Sequence, residues 1–368
     1  MLSFWEKQHM TSFDFVIVGA GIMGCSVAFE IREKYPNAKI VVLERGLFPS
    51  GASTKNAGFA CFGSPTEILS DIKLSGKTKT YEIILQRFEG LRILFERFGN
   101  EKSGRTSFGG YELILQNSLP QNFIDGLNEW LMPLFKKAAF LDVSDKIKPF
   151  GFSNKVQQLL FCNLESQIDS GKLLLNYWKL LQEKGIQINT GACVKKILEN
   201  KLEVYNEATG IIEIKAEQII LTTNAFIKEL IPEISVKPGR GQVVLTNEIQ
   251  NLAFNGSFHF EEGFYYFRNV GNRVLFGGGR NIDFETEETT AFEINQKIVD
   301  DLKFKLKEFI LPGIPFEIEQ QWQGIMGFSE DKKPLILNIN QYTKYVMACN
   351  GMGVALSPYI ARVVVASL

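Results

Sequence analysis

Phe13-Asp14-Phe15-Val16-Ile17-Val18-Gly19-Ala20-Gly21-Ile22-Met23-Gly24 decides the fold. An apolar run leads into Gly-x-Gly-x-x-Gly, and Cys25-Ser26-Val27-Ala28-Phe29-Glu30-Ile31-Arg32 continues as a helix. Gly19 permits a tight turn, Gly21 admits a pyrophosphate to the backbone, and Gly24 lets the helix pack close to the strand. The helix start, with Ile22 and Met23, adds free N–H groups and the positive end of its dipole. A second strand over 39–43 ends in Glu44, an acid about 20 positions past the glycines, where it can accept from ribose hydroxyls. Strand, spacing and acid together predict a dinucleotide-binding unit.

Working outward, residues 49–60 are small, polar and punctuated by glycine, hence a loop or a helix start. Coming straight after Glu44, they can bring hydroxyls and N–H groups to a phosphate. Residues 66–99 read as helix, with Ile83, Ile84, Arg87, Phe88, Leu91, Leu94, Phe95 and Phe98 on one face, a packing surface rather than a site. A strand is expected at 111–115 and a helix at 120–137. Asp169 precedes a helix striped by Leu173, Leu174, Tyr177, Leu180 and Leu181, which Gly185 ends. Short strands follow at 187–189, 193–198, 202–205, 211–214 and 218–222. Val194 falls where a backbone strand can line an adenine pocket.

From Lys237-Pro238-Gly239-Arg240-Gly241-Gln242 onward, aromatic-rich alternating strands at 242–246, 256–260, 264–268 and 273–276 predict an antiparallel sheet. A helix near 290–309 presents Ile294, Ile298, Leu302, Leu306 and Phe309, and a strand at 316–325 follows. The C-terminal run 345–358 is again strand, glycine turn and helix. Its Gly351-Met352-Gly353-Val354-Ala355 start can set a positive dipole end against developing negative charge.

The fold class read from this order is α/β: a Rossmann-like unit from residues 1–85, 146–235 and 326–368, and a mainly antiparallel α+β unit from 86–145 and 236–325. The chain has 368 residues, 45% of them hydrophobic, enough for two or three domains. Forty Lys and Arg against 41 Asp and Glu leave a net charge of −1, a poor footprint for nucleic acid. Five Cys without metal-ligand spacing fit reduced thiols and a cytoplasmic location. No run has membrane-spanning length, and residues 1–9 lack the apolar core of a signal peptide. Trp5 is expected to pin that segment to the surface.

Together these motifs resemble the D-amino-acid-oxidase family of flavoproteins, in its glycine oxidase and sarcosine oxidase branch. The resemblance covers nearly the whole chain. It rests on the glycine turn, Glu44-Arg45, Gly51-Ala52-Ser53-Thr54 with Ala57-Gly58, Ile168-Asp169-Ser170, Pro238 to Gln242, Trp322-Gln323-Gly324, Asp331-Lys332-Lys333-Pro334-Leu335-Ile336, and Gly351 to Pro358. It implies FAD, with its adenine end at Gly19–Gly24, Glu44 and Arg45. The pyrophosphate and ribityl would lie along Ser53, Thr54, Lys55, Asn56, Ala57 and Gly58. The ring would lie near Gly324 and Gly351–Ala355, with Val194 and Thr222 completing the site.

The departures bear on substrate. Amino-acid-oxidising relatives carry an arginine where Met326 stands, and glycine-oxidase-like members another in the final loop, here Asn350-Gly351-Met352-Gly353. The cysteine that attaches FAD in sarcosine-oxidase-like members is absent near Ile325, so FAD is expected to be noncovalent. Asn224 replaces a usual glycine. Oxidation of a C–N bond by hydride transfer to flavin N5 needs positioning and a water-poor site more than a side-chain base. Tyr266, Arg280 and Met326 are therefore the substrate-side candidates, with His259 a weaker one. The expected partners are a small amine or amino acid and an electron acceptor, oxygen or a quinone. Alternatives are a tRNA wobble-uridine side-chain oxidoreductase, whose flavin domain belongs to this family, and a flavin-binding protein without turnover.

Overall fold

The computed structural model describes residues 2–330, 332–347 and 350–368. Asp331, quoted above, and Cys349, one of the five cysteines, lie outside them.

The apolar run opening the chain is the strand Ser12–Val18, and Gly21 caps the helix Ile22–Lys34. Val16 and Ile17 are fully buried because the strand is covered on both faces, as parallel strands joined by helical crossovers are. Thr343–Met347, Gly210–Leu221, Ser12–Val18, Ile40–Leu43 and Gln187–Asn189 lie side by side in parallel. Leu335–Asn338 adds an antiparallel edge. Phe15 and Ile17 face a core shared with Leu91, Leu94, Leu173, Leu181, Ile360 and Val364 from the covering helices. Val16 and Val18 face the opposite core with Leu202, Val204 and Ile214, under a hairpin of Cys193–Leu198 and Lys201–Asn206.

The second sheet runs Ile318–Phe328, Lys237–Thr246, Arg273–Gly278, Tyr265–Val270, Ser257–Phe260, Gly110–Ile114, Gln158–Cys162, Phe140–Asp142. It is antiparallel except where Ser257–Phe260 meets Gly110–Ile114 in parallel. Tyr265 and Phe267 point to a core with Ile298 and Leu302 of the helix Gln296–Lys305. The rings of Phe258 and Phe267 stack there at 4.6 Å. By strand alternation Tyr266 and Arg268 point the other way.

Several expectations change. The helix read over 66–99 is two, Pro65–Ser75 and Lys77–Ser103, because Gly76 adopts φ 84° between them. The unit boundary expected at 85/86 falls inside the second of these. Gln158–Cys162, expected with the first unit, pairs in the second sheet. The strands read at 211–214 and 218–222 are one, Gly210–Leu221, which pairs first with the hairpin and then with Ser12–Val18. Trp5 does not pin its segment: it is 68% exposed on the short helix Phe4–His9. Asn224, where the resemblance leads one to expect glycine, takes φ 52°, a conformation asparagine tolerates better than most side chains.

Candidate active site

One cleft of about 580 Å³ is walled by both sheets. Its nucleotide wall begins at the glycine turn. Gly19 sits at φ 105°, and a side chain on Gly24 would begin 1.9 Å from the Gly19 carbonyl. Gly24 therefore serves helix packing behind the wall, while Gly19, Gly21, Ile22 and Met23 line the cleft. The Thr222 hydroxyl donates to the Val18 carbonyl at 2.8 Å and holds the turn from beneath. Glu44 is buried at the wall, and its carboxylate accepts from Ala20 N–H and Gly46 N–H, each at 3.0 Å. Each oxygen keeps a lone pair for a ribose hydroxyl. Arg45 lies over the Phe226 ring at 4.0 Å and pairs with Glu229 at 3.2 Å. Val194 lines the same region beside Ala192 and Cys193.

Ser53, Lys55, Asn56 and Ala57 continue the wall from the short helix Ala52–Lys55. This segment is pinned from three sides. Trp322 Nε1 donates to the Lys55 carbonyl at 3.0 Å. The Ser170 hydroxyl meets Asn56 Oδ1 at 2.7 Å, and that oxygen also accepts from Gly58 N–H. Arg268 donates to the carbonyls of Gly58 and Ile168 at 2.8 and 2.7 Å. Arg268 is thus structural. Thr54 and Gly58 do not line the cleft: Thr54 donates to the Pro49 carbonyl, and Gly58, at φ 75°, packs on Ile168. The Ser53 hydroxyl meets Ile22 N–H at 3.0 Å.

The helix Gly353–Ala366 aims its N-terminus at the same cleft without a side-chain cap. A side chain built on Gly351 or Gly353 would meet nothing within 4 Å, so bare backbone borders open space there. Gly324, Met352, Val354 and Ala355 complete this stretch. Two helix N-termini, a buried carboxylate with spare lone pairs and side-chain-free backbone fit a dinucleotide with a polar ring edge.

The second-sheet wall carries the substrate-side candidates. Tyr266 and His259 are cross-strand neighbours, and both rings meet Phe59 edge-on, at 5.8 and 5.0 Å. Burial pushes the Tyr266 phenol up to about 12 and the His259 imidazole down to about 4. Both are neutral at physiological pH. His259 Nε2 is buried and without a partner. The Met326 methyl packs over Gly241, near the Tyr266 hydroxyl, so the position read as a lost arginine is apolar. Arg280 lies 4.0 Å from the Phe328 ring and 4.8 Å from that of Phe284, bordering the cleft. Among the described residues its guanidinium has no hydrogen bond or ion pair. Burial lowers its pKa, and the Glu287 and Glu288 charges oppose that.

The sequence reading missed Glu67 and Arg87, which also line the cleft. They form an ion pair at 3.3 Å, and Arg87 donates to the Phe62 carbonyl at 3.0 Å. The available signal was one arginine on an otherwise apolar helical stripe. Behind them burial raises Glu112 to about 7 and Glu165 to about 8. Phe59, Phe284 and Phe328 were missed as well, since nothing marks one phenylalanine among 30.

A family model described as FAD dependent oxidoreductase matches residues 14–367. The chain is 23% identical to the probable oxidoreductase OrdL of Haemophilus influenzae, over 99% of this chain and 89% of that protein. It is 23% identical to the bifunctional protein ThiO/ThiG of Trichormus variabilis over 63% of its length, spanning 34% of that longer protein. Its fold matches glycine oxidase from Geobacillus kaustophilus with a TM-score of 0.76 at 17% identity, covering 98% of this chain and 95% of that one. It matches L-proline dehydrogenase from P. horikoshii with a TM-score of 0.76 at 16% identity, over 96% and 92%. With a cleft that fits the cofactor and a match over nearly its whole length, the chain belongs to the FAD dependent oxidoreductase family.

Proposed function

We propose that this protein oxidises the C–N bond of an amine or amino acid that carries a carboxylate and an apolar portion, using noncovalent FAD. The observation that carries this reading is Arg280: a cation bordering the cleft, beside two aromatic rings, whose guanidinium has no ion pair among the described residues, the Glu287 and Glu288 charges acting on it only from a distance. A guanidinium so placed is a ready partner for a carboxylate. FAD, when bound, supplies a two-electron acceptor for the hydride that the amine carbon gives up, while the nitrogen loses a proton and an imine remains.

The chain's own residues contribute binding and exclusion of water. In this reading Glu44 holds the ribose, and the backbone of Gly19–Met23 with Ser53–Ala57 holds the pyrophosphate. Arg280 orients the carboxylate, and Phe59, Phe264, Phe284, Phe328 and Met326 form a water-poor slot for the rest of the substrate. His259 and Tyr266, neutral and facing the cleft, offer hydrogen bonds to a neutral amine without adding charge. Neither His259 nor Tyr266 is a strong base there, in keeping with a reaction that depends on positioning. The two sheets would serve as a cofactor unit and a substrate unit. Buried free thiols at Cys25, Cys61 and Cys162 accord with work in the cytoplasm.

Anaerobic mixing with a panel of amines and N-substituted amino acids tests the reaction. The oxidised flavin band should bleach with amino acids bearing an apolar group, and poorly with glycine and sarcosine. A flavin that no amine bleaches would overturn the reading. Turnover in an oxygen electrode would then assign the electron acceptor as oxygen, and turnover with a soluble quinone alone would assign a quinone.

A further inference from the structure

Arg280 opens a strap, residues 280–295, which leaves the second sheet after Gly277-Gly278-Gly279 and ends at Asn295, the N-cap of the helix Gln296–Lys305. Glu287 holds the strap from within and is fully buried. Its Oε1 accepts from Arg240 Nη2 at 2.7 Å and Asn295 Nδ2 at 2.9 Å. Its Oε2 accepts from Arg240 Nε and Gln242 Nε2, both at 3.1 Å. Arg240 also donates to the strap carbonyls of Ala291 and Thr286 at 3.3 and 3.4 Å, and Gln242 to that of Glu293 at 3.3 Å. Gly239, next to Arg240, leaves the room that the strap uses. A side chain there would begin 2.4 Å from the Phe328 ring and 3.0 Å from Arg280 Nη1.

A buried ion pair is often no more stabilising than apolar residues of the same volume, so stability alone is a weak account of this one. Its directional bonds fix geometry instead. We propose that the Arg240–Glu287 pair is the positioning element for Arg280: by clamping the strap to the strand Lys237–Thr246 it sets the guanidinium against Phe284 and Phe328, and so sets the preference for carboxylate-bearing ligands. This rests on the reading of Arg280 as the carboxylate partner.

The test is calorimetric titration of the full-length, FAD-loaded protein with phenylacetate and with its uncharged analogue phenylacetamide. Wild type should favour phenylacetate by roughly tenfold or more. Glu287→Gln should cut that ratio at least about threefold with phenylacetamide affinity and FAD content unchanged. Asn295→Ser keeps a helix cap while dropping the bonds to Glu287 and Asp283. It should act in the same direction and carries the test alone if Glu287→Gln does not fold. Arg280→Met should bring the ratio to about one, and adding Glu287→Gln should lower it no further. A ratio lost in Arg280→Met but intact in both strap variants overturns the positioning role alone, as do equal losses for both probes or additive losses in the double variant. A ratio that survives Arg280→Met overturns the reading of Arg280, and the positioning role with it.

Discussion

At the nucleotide wall of the cleft, the groups that face a ligand are mostly main-chain N–H groups with one carboxylate, drawn from the segment 19–57 and the second helix start at 351–355. At the second-sheet wall they are side chains from separate strands and a strap: His259, Tyr266, Arg280 and Met326. A backbone device works only with particular glycines at particular spacings. A side-chain wall can be assembled from many residues, so evolution can change its specificity without changing its frame. An apolar Met326 alongside Arg280, whose guanidinium has no ion pair among the described residues, shows how such a wall can place its charge in one molecule.

Substitutions on the nucleotide wall separate packing from ligand contact. Gly24→Val should do the most damage, because its side chain would begin 1.9 Å from a backbone carbonyl that cannot move without breaking the turn. Circular dichroism should show a lost or destabilised fold. Gly21→Val meets only the Ser53 hydroxyl, at 2.7 Å, which can rotate away. That variant should fold yet release its FAD. If both variants lost the fold alike, the division between packing and binding glycines would fail.

Glu44→Ala should weaken FAD binding while sparing the rate at saturating FAD. A lost hydrogen bond to a charged acceptor is worth on the order of 1–3 kcal/mol, roughly a 5- to 150-fold change in Kd. Unchanged affinity in a fluorescence titration would remove Glu44 from the ribose site.

The buried carboxyls behind Arg87 sharpen the contrast through pH. Glu165 has its folded-state pKa raised by burial to about 8. The native state therefore holds a proton that the unfolded chain has released, and this contribution is complete at low pH and lost as pH rises through about 8. Thermal unfolding should move to lower temperature between about pH 6 and pH 9, and Glu165→Gln should flatten that fall by a few degrees. An unchanged slope would mean that Glu165 titrates as an ordinary carboxyl.

The smallest expected effect is an absence of movement. His259 is neutral above about 4 and Tyr266 below about 12, so neither changes charge in the working range. The limb of log kcat/KM near neutral pH should follow the pKa of the substrate amine and shift when the amine is changed. His259→Gln should leave that limb in place. A limb that vanished in this variant would make His259 the titrating group.

Much of the frame was legible in the sequence. Gly19, Gly21, Gly24 and Glu44 sit where their spacing put them, and Tyr265 and Phe267 alternate with Tyr266 and Arg268 as a strand requires. The boundary at 85/86 was misread because the helix Lys77–Ser103 buries Leu91 and Leu94 against the first sheet, a tertiary choice that periodicity does not record. Thr54 and Gly58 belong to the right segment, yet their side chain and backbone are spent on holding it. Arg268 and Arg280 looked alike in sequence. Only packing shows that four backbone carbonyls occupy the first and that the guanidinium of the second has no hydrogen bond among the described residues. Glu67 and Arg87 were hidden because an ion pair buried at a cleft leaves no pattern except one misplaced charge.

The proposed role of Arg280 is to meet a substrate carboxylate at a cleft that holds FAD. The most direct measurement is anaerobic flavin reduction, in wild type and Arg280→Met, by N-methylphenylalanine and by N-methylphenethylamine, which differ only in the carboxylate. Arg280→Met should slow reduction by the amino acid roughly 30- to 1,000-fold in the apparent second-order constant, from about 2–4 kcal/mol of lost pairing, and change reduction by the amine less than about threefold. Equal rates for the amino acid in both proteins would contradict the central claim.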